Sequence, residues 1–349
     1  MVVIDGSYGE GGGQVLRSAL TLAMLTGQAV RLENIRAGRS KPGLRPQHLT
    51  AVRAAATLCD AHLEGDVLGS QVLTFRPGGP ACPGEYLFDV AATARRGSAG
   101  AVTLVLQTVL LPLALADGDS LLTLRGGTHV AWSPPVPYLE HVFFPQLARM
   151  GLNAAVESLR WGFYPVGGGE VRVRIVGNGG RPPAPLRLTT RGALLRVWGT
   201  AAAMNLPAHI PQRMAARARN LLAAAGLTAQ IEPVRLRGSG PGAGIFLFAE
   251  YEAEGGGVAA GFTAYGRRGL PAARVAEAAV EELLAHHRAD APVDPHLADQ
   301  LVLPLALAEG ESQIRTSRVS QHLLTNIWVV QHFLEREIQV EGGTVTVVG

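Results

Sequence analysis

The sequence contains few lysine, cysteine and aromatic residues, and these shortages limit which kinds of site, compartment and core the protein can have. Among the 31 basic residues, Lys41 is the one lysine and the others are arginines. Cys59 and Cys82, the two cysteines, are too few for a disulfide framework and have no zinc-binding spacing. They suit a reducing compartment, and we therefore expect a cytoplasmic protein. Aromatic residues make up 5% of the chain, so alanine, leucine and valine must fill most of its core.

Features that would target the chain to a membrane are also missing. The longest apolar run, residues 101–116, is interrupted by Gln107 and Pro112 and is too short to cross a bilayer. The N-terminal stretch has no basic-then-apolar signal peptide. With 47% hydrophobic and 17% charged residues, the 349-residue chain suits one large or two medium globular domains. A net charge of +3 is too small to predict nucleic-acid binding by itself. We expect a soluble protein with no membrane partner.

Hydrophobic periodicity predicts a β-α-β-α-β-β order in the first half of the chain, and this order then recurs without its first strand. The first copy is predicted at residues 2–4, 14–25, 30–35, 48–61, 71–75 and 86–90. The second is predicted at residues 98–116, 121–124, 136–150, 154–158 and 170–175. Gly27 is expected to end the first helix and Ser98 to cap the third. The pattern Tyr-x-x-Gly-Gly-Gly-polar-Val, at 8–15 and again at 164–171, favours a repeat.

A predicted linker separates these copies from the rest of the chain. It is the segment GNGGRPPAP, residues 177–185. Beyond it, strands at 194–198, 229–234 and 244–250 and helices at 211–225 and 274–287 are expected to form an inserted module. The C-terminal part is predicted to hold helices at 296–307 and 321–333 and strands at 313–316, 337–340 and 344–348.

The glycine-rich stretch GEGGGQVLR begins at Gly9 and leads into the first helix. Glycines before a helix let backbone N–H groups meet an anion, helped by the helix dipole. Arg17 would add positive charge, whereas Glu10 would suit such a site if it held a divalent cation. The motif matches neither the dinucleotide-binding nor the Walker A pattern. A flexible turn is the alternative interpretation.

A basic loop, IRAGRSKPGLRPQH, covers residues 35–48. It has four cations and no acid within ten residues, namely Arg36, Arg39, Lys41 and Arg45. Gln47 and His48 follow at the start of a helix. Arginine suits bidentate contact with phosphate, so the loop predicts a site for a phosphate of RNA or of a nucleotide. A solvated basic loop is the alternative.

Near the C-terminus, the stretch RVSQHLLTNIWVVQHF places His322 near the start of the last helix. The helix dipole lowers the pKa of an imidazole there and keeps it neutral, and a neutral imidazole nitrogen is a nucleophile. A structural histidine is the alternative. Gln107 lies in an apolar helix and bonds either to the backbone or to a ligand. Asp299 and Gln300 open another apolar helix, where an acid is ordinary capping chemistry.

Taken together, several segments resemble the RNA 3'-terminal phosphate cyclase family of the bacterial type. They come in the family's order and span nearly the whole chain: DGSYGEGGGQVLRSAL, IRAGRSKPGLRPQHLTAV, GSAGAVTLVLQTVLLP, GFYPVGGG, LADQLVLPLAL and SQHLLTNIWVV. The resemblance implies an α/β fold with a large domain of three β-α-β-α-β-β repeats, interrupted by a smaller inserted α/β domain. We expect the catalytic domain at 1–186 and 291–349 and the insert at 187–290.

The resemblance also implies a ligase that uses ATP as co-substrate and acts on RNA with a 3'-terminal phosphate. Nε2 of His322 would attack the α-phosphorus and form a covalent histidine–AMP, releasing pyrophosphate. The RNA phosphate would then take the AMP, and the neighbouring 2'-OH would close a 2',3'-cyclic phosphate and release AMP. A divalent cation, Mg²⁺ or Mn²⁺, would neutralise the triphosphate charge.

Individual residues receive roles from the same resemblance. Glu10 would contact the metal. Phosphates would be held by Arg17, Arg36, Arg39 and Gln47. The nucleotide would be bound by Gln107, Pro134, His296, Leu297, Ala298, Asp299 and Gln300, with Asp299 at the ribose and Pro134 on one face of the adenine. His296 stands where the bacterial pattern has a tyrosine on the other face. Because imidazole stacks with less area, we expect altered adenine affinity or base selectivity.

Two alternatives from other classes stay open. A ribosome-assembly branch of the same family is a non-catalytic RNA-binding scaffold, but it lacks the nucleophilic histidine, so His322 favours the enzyme. A transferase on a related repeat fold, such as an enolpyruvyl transferase, would need no histidine–AMP. The sequence leaves the oligomeric state open.

Overall fold

The computed structural model describes residues 1–93 and 98–348. Its four mixed sheets have four strands each, and three of them share one connectivity. In each of these three sheets the succession along the chain is β-α-β-α-β-β, and the last two strands exchange places in the spatial order. The fourth sheet lies within the third repeat as an insert. The predicted α/β class, with three repeats and an inserted unit, is confirmed.

The first repeat begins with a parallel strand pair and closes with an antiparallel one. Its elements are β1 (Val2–Asp5), α1 (Gly13–Thr26), β2 (Val30–Glu33), α2 (Pro46–Cys59), β3 (His62–Glu64) and β4 (Leu73–Arg76). Gly27 ends α1 at φ 68°, as predicted. The sequence prediction missed β3, whose three residues carry a single apolar side chain. It therefore wrongly assigned the strand near 86–90 to this repeat, since that strand pairs in the next sheet.

The second repeat has the same order with an irregular second helix. Its elements are β5 (Glu85–Asp89), α3 (Val102–Ala114), β6 (Ser120–Gly126), α4 (Val136–Tyr138), a π-helical turn (Leu139–Phe143), α5 (Phe144–Arg149), β7 (Asn153–Arg160) and β8 (Gly169–Val176). The predicted cap at Ser98 is wrong. The helix starts after Ala101, and the Ser98 hydroxyl accepts a bond from Gly100 N–H at 3.1 Å instead.

The repeated Tyr-x-x-Gly-Gly-Gly pattern does not mark equivalent places. Its first copy, 8–15, lies between β1 and α1, whereas the second, 164–171, lies between β7 and β8. The repeats are real, but the pattern that favoured them is a coincidence of glycine-rich turns.

The third repeat is split after its first strand, β9 (Arg187–Leu188), which pairs with a strand over 100 residues later. The insert that follows comprises β10 (Leu194–Met204), α6 (His209–Ala224), β11 (Ala229–Leu236), β12 (Gly242–Tyr251), β13 (Val258–Tyr265) and α7 (Ala272–Ala289). The repeat then continues with α8 (Pro295–Leu307), β14 (Ser312–Arg315), α9 (Gln321–Val330), β15 (Glu337–Glu341) and β16 (Thr344–Val348). The predicted boundary at residue 187 falls before β9, and the division into domains stays a prediction. The alanine- and glycine-rich β13 was also missed.

Buried polar bonds tie helices of different repeats together. The Ser18 hydroxyl on α1 donates to the Asn326 amide oxygen on α9 at 2.6 Å. Asn326 in turn donates to the carbonyl of Asp299 on α8 at 2.8 Å. Thr21 on α1 donates to the Thr108 carbonyl on α3 at 2.9 Å. Because buried groups must be satisfied, these bonds fix how the helices pack and so where their N-termini meet.

Two predictions about composition can be checked directly. Cys59 is buried and Cys82 exposed, and both are free thiols within the residues described. Among residues 1–93 and 98–348, no helix combines the length and the hydrophobicity needed to cross a membrane.

Candidate active site

One cavity of about 1070 Å³ gathers most of the residues predicted as the site. The predicted residues that line it are Glu10, Arg17, Arg36, Arg39, Gln47, Gln107, Pro134, His296, Asp299, Gln300 and His322. The side chains of Leu297 and Ala298 are fully buried in the core and are not placed there. Residues of all three repeats therefore meet at the cavity, and Gly261, Thr263 and Tyr265 of the insert form another part of its wall.

His322 is the second residue of α9. The Ser320 hydroxyl accepts the N–H of Leu323 at 3.0 Å and caps the helix start. Gln14 holds the imidazole from α1: its amide nitrogen donates to the His322 carbonyl at 3.2 Å, so its amide oxygen faces Nδ1. An oxygen acceptor at Nδ1 requires a proton there. The lone pair of the neutral ring is therefore on Nε2.

The pKa of His322 is lowered, chiefly because burial disfavours the charged ring. The positive charge of Arg17 lowers it further, while the Glu10 carboxyl raises it from 3.1 Å away. The net shift of the pKa is downward from the usual 6.5, so the neutral ring predominates at pH 7. With 42% of its side chain exposed, His322 is also accessible from the cavity. The sequence predicted a lowered pKa, which it attributed to the helix dipole, and the structure adds burial as a cause.

The glycine-rich turn packs directly against α9. Gly9 and Gly11 have φ values of 62° and 55°, a left-handed conformation that suits glycine. A Cβ on Gly9 would overlap the Thr325 hydroxyl. Gly12 precedes α1 and offers the helix no side-chain cap, and both Gly12 and Gly13 line the cavity. The N–H groups of this helix end are therefore available to an anion.

The basic loop contributes two of its four cations to the cavity. Arg36 adopts φ 55° and donates to two carbonyl groups of its own loop at 2.7 and 2.8 Å. Arg39 lies 3.5 Å from the Glu10 carboxyl. Lys41 and Arg45 do not line the cavity. Of the loop's four cations, the two that line the cavity are thus the two predicted to hold phosphates, and that role stays a prediction.

Arg17 and Asp299 influence each other across the cavity wall. Burial lowers the pKa of Arg17 to about 10, which leaves the guanidinium charged at neutral pH. Burial raises the pKa of Asp299 well above its usual value, and the neighbouring Asp294 and Glu10 add to the effect. Arg17 partly opposes this rise. The site therefore holds a permanent cation beside an acid that retains its proton more readily than usual.

His48 belongs to the site but was not among the predicted site residues. Its Nδ1 accepts the N–H of Arg45 at 3.1 Å, which leaves Nε2 as the donor of the neutral ring. Burial, followed by the charge of Arg17, lowers its pKa to about 3. The ring lies so close to Gly13 that a Cβ there would overlap Nε2. The sequence signal that could have identified His48 is its position directly after Gln47 at the start of a helix.

Two glutamines line the cavity with different restraints. The amide oxygen of Gln47 accepts the N–H of Ala101 at 2.9 Å, which leaves its amide nitrogen for the cavity. Gln107 has no side-chain hydrogen bond within the described parts of the chain. Of the two alternatives for Gln107, bonding to the backbone is not observed among the described residues, and contact with a ligand stays a prediction.

The acid that caps α8 is Asp294, not Asp299. Asp294 is fully buried. Its carboxyl group accepts hydrogen bonds at 2.8–3.2 Å from the N–H groups of His296, Leu297 and Gly261 and from the Tyr138 hydroxyl. It thus joins the second repeat, the insert and α8 at one point. The Asp-Pro pair at a helix start was the missed signal.

The expected adenine-stacking pair lies on the cavity wall. His296 is exposed and packs edge-on to Tyr138, with ring centroids 6.5 Å apart. Gln300 donates to the His296 carbonyl at 3.1 Å, and its amide oxygen has no partner within residues 1–93 and 98–348. Pro134 lines the same cavity from the second repeat.

Fold and cavity together define an enzyme whose site gathers arginines, an open helix N-terminus and a neutral histidine. A family model described as RNA 3'-terminal phosphate cyclase matches residues 8–340. Relatives of that name include one from Methylococcus capsulatus, 58% identical over 95% of this chain and 90% of its own. Another, from Trichormus variabilis, is 57% identical over 95% and 94%, and one from Archaeoglobus fulgidus is 41% identical over 99% and 100%. The chain belongs to the RNA 3'-terminal phosphate cyclase family and, like these relatives, is an enzyme of the ligase class.

Proposed function

We propose that this enzyme converts the 3'-terminal phosphate of RNA into a 2',3'-cyclic phosphodiester, with ATP as co-substrate. The reaction would pass through covalent histidine–AMP and RNA-adenylate intermediates. The observation that carries the proposal is the setting of His322. Gln14 fixes its proton on Nδ1, burial keeps the ring neutral, and Nε2 lies in a cavity lined by arginines.

In the first step, Nε2 of His322 would bond to the α-phosphorus as the bond from that phosphorus to the β-phosphate oxygen breaks. Pyrophosphate would leave with the electron pair. The adenylated ring then carries positive charge. The Gln14 amide oxygen at Nδ1 and the Glu10 carboxyl, 3.1 Å from Nε2 in the free protein, would stabilise that charge.

In the second step, an oxygen of the RNA 3'-phosphate would bond to the AMP phosphorus as the Nε2–phosphorus bond breaks. This returns His322 to its neutral form. In the third step, the 2'-oxygen would attack the 3'-phosphorus, lose its proton and displace AMP. A covalent intermediate divides one difficult displacement into easier ones, which is the chemical use of a nucleophilic histidine.

Phosphate binding would fall to the open N-terminus of α1 and to Arg17, Arg36, Arg39 and Gln47. The arginines supply charge-assisted hydrogen bonds, and Gln47 supplies its free amide nitrogen. Glu10 would hold a divalent cation, Mg²⁺ or Mn²⁺, which neutralises triphosphate charge. Within the described residues, no three His, Cys, Asp or Glu side chains come together as a metal site. One carboxylate completed by phosphate oxygens and water is an arrangement that Mg²⁺ favours.

The nucleotide would lie between the second and third repeats. Pro134 and His296 would pack on opposite faces of the adenine, and Asp299 would bind the ribose. Gln107 and Gln300 would supply further polar contacts, since the Gln107 amide and the Gln300 amide oxygen have no hydrogen-bond partner among the described residues. In this proposal residues 1–186 and 291–349 form the catalytic domain and 187–290 the insert.

The test is conversion of an RNA oligonucleotide with a 3'-phosphate to a phosphatase-resistant product in the presence of ATP and Mg²⁺. We expect AMP and pyrophosphate to be released in equal amounts by the wild type, and no product from His322→Ala. His332→Ala is the matched control, since His332 is an exposed histidine that follows the same helix. An oligonucleotide lacking the terminal 2'-OH should stop at the RNA-adenylate. Product from His322→Ala, or RNA binding by the wild type without any AMP release, would contradict the proposal.

A further inference from the structure

Trp132 is the most exposed large hydrophobic side chain among the described residues. It is 98% exposed, compared with 76% for Tyr164, the next in order. Its φ of 65° is left-handed, which is rare for a bulky residue. The exposed indole gains no free energy from burial, and the left-handed φ strains the backbone. Residues held in this way cluster at ligand-binding sites.

The loop around Trp132 is firmly anchored on both sides. Val130 is buried before it and Pro135 is buried after it. The Ser133 hydroxyl donates to the Val130 carbonyl at 2.9 Å and closes the turn that contains Trp132. The ring is therefore presented to solvent by a fixed backbone, so that little order would have to be gained when a ligand packs on it.

Trp132 lines the same cavity as His322. Exposure falls along the loop from Trp132, through the half-buried Ser133 and Pro134, to the buried Pro135. The loop therefore runs inward, with the indole at the mouth of the cavity and Pro134 deeper. A cavity of about 1070 Å³ is at the upper end of the range for small-molecule sites, which leaves room for more than a nucleotide.

ATP and RNA, the two substrates of the proposed reaction, would contact the mouth of the cavity differently. ATP is short enough to be enclosed, with its base at the level of Pro134. An RNA chain can place only its 3' end inside, so it must leave across the mouth. An exposed indole offers its face to any nucleobase, because every base has a π-face. Single-stranded RNA ends are commonly bound by such stacking on aromatic side chains.

We propose that Trp132 is the stacking platform for one of the last two nucleobases of the RNA substrate. The proposal rests on the cyclase function proposed above. The platform sets affinity for the RNA end without selecting its sequence, because stacking tolerates all four bases. It takes no part in the reaction of ATP with His322.

The test measures the KM for RNA of wild type, Trp132→Ala and Trp132→Phe, with 3'-phosphate oligonucleotides that are intact or abasic at either of the last two positions. We expect Trp132→Ala to raise the KM about tenfold for intact RNA, the size of a lost base–aromatic stack, with partial retention in Trp132→Phe. For the wild type, one of the two abasic substrates should raise the KM by a similar factor. For Trp132→Ala, the same abasic substrate should leave the KM unchanged. Tyr164→Ala is the matched control, since Tyr164 is exposed but does not line the cavity.

Transfer of label from ATP to the protein, which needs no RNA, separates failure of this inference from failure of the proposed function. A wild type that takes no label would contradict the cyclase mechanism. A labelled wild type with an unchanged KM for RNA in Trp132→Ala would overturn the stacking role. A raised KM for ATP with an unchanged KM for RNA would assign the indole to the adenine instead and would also overturn it.

Discussion

The helices that begin at the cavity start in two different ways. α8 and α9 begin behind Asp294 and Ser320, whose side chains accept N–H groups of their own helices. α1 begins behind Gly12, which has no side chain to offer. A capped start uses its N–H groups internally and holds nearby residues in place, as at His322. An uncapped start leaves its N–H groups for a ligand. Within one site, α8 and α9 thus position side chains, whereas α1 has N–H groups free to bind an anion.

Removing the buried cap of α8 should produce the largest loss of stability. Asp294→Ala removes a cap and leaves the Tyr138 hydroxyl and the Gly261 N–H buried without their acceptor. We expect the free energy of unfolding to fall by about 3–5 kcal/mol, measured by denaturant titration. Ser320→Ala, which removes a single cap bond, should cost about 1 kcal/mol. Equal losses for the two variants would show that Asp294 is no more than a cap.

Filling the uncapped start should affect activity more than stability. In Gly13→Ala the new Cβ would overlap the His48 ring and come within 2.9 Å of Arg17. Displacement of these groups by an ångström would slow protein labelling from ATP about a hundredfold. Gly38→Ala is the control, since a Cβ there meets open space. Labelling at the wild-type rate in Gly13→Ala would argue against phosphate binding at the start of α1.

The ring held by the capped helix should titrate below free imidazole. Burial and the nearby arginines lower the pKa of His322, so its midpoint should lie below about 6.5. The neutral nucleophile would then predominate at pH 7 and be lost only as the pH falls through the lowered pKa. An NMR titration of the free protein, with His322→Ala to assign the resonance, measures it. A midpoint above that of free imidazole would mean that Glu10 outweighs burial.

The smallest expected effect concerns His296, beside the cap of α8. His296→Tyr restores the larger ring of the bacterial pattern. Because stacking area increases, we expect the KM ratio for ATP and GTP to change about three- to tenfold. The change should appear in initial labelling rates with each nucleotide. Identical ATP and GTP profiles for the two proteins would exclude a stacking role for His296.

The sequence predicted most of the fold because the long helices and strands have clear periodicity. It failed at β3, where three residues carry one apolar side chain, and at β13, where three alanines and one glycine weaken the strand propensity. Both strands were missed because they form through hydrogen bonds to a neighbouring strand, and their own composition does not predict a strand. The false equivalence of residues 8–15 and 164–171 has a similar origin, since glycine-rich turns look alike wherever they occur.

The candidate site was predicted largely through resemblance, and the residues it named mostly do line one cavity. The sequence could not predict which residue each side chain of the site contacts. The tautomer of His322 depends on Gln14, 308 residues away in the chain. The cap role of Asp294 and the closeness of His48 to Gly13 likewise depend on tertiary contacts. Leu297 and Ala298, adjacent to true wall residues, face the core because the helix turns their side chains inward.

The most direct measurement of the central claim is transfer of label from ATP, carried in its α-phosphate, to the protein with Mg²⁺ and no RNA. We expect one label per chain on the wild type and on His332→Ala, labile in acid and stable in base, and none on His322→Ala. That result identifies a phosphoramidate on His322. A folded wild type that takes no label, or label that persists in His322→Ala, would contradict the assignment of His322 as the nucleophile.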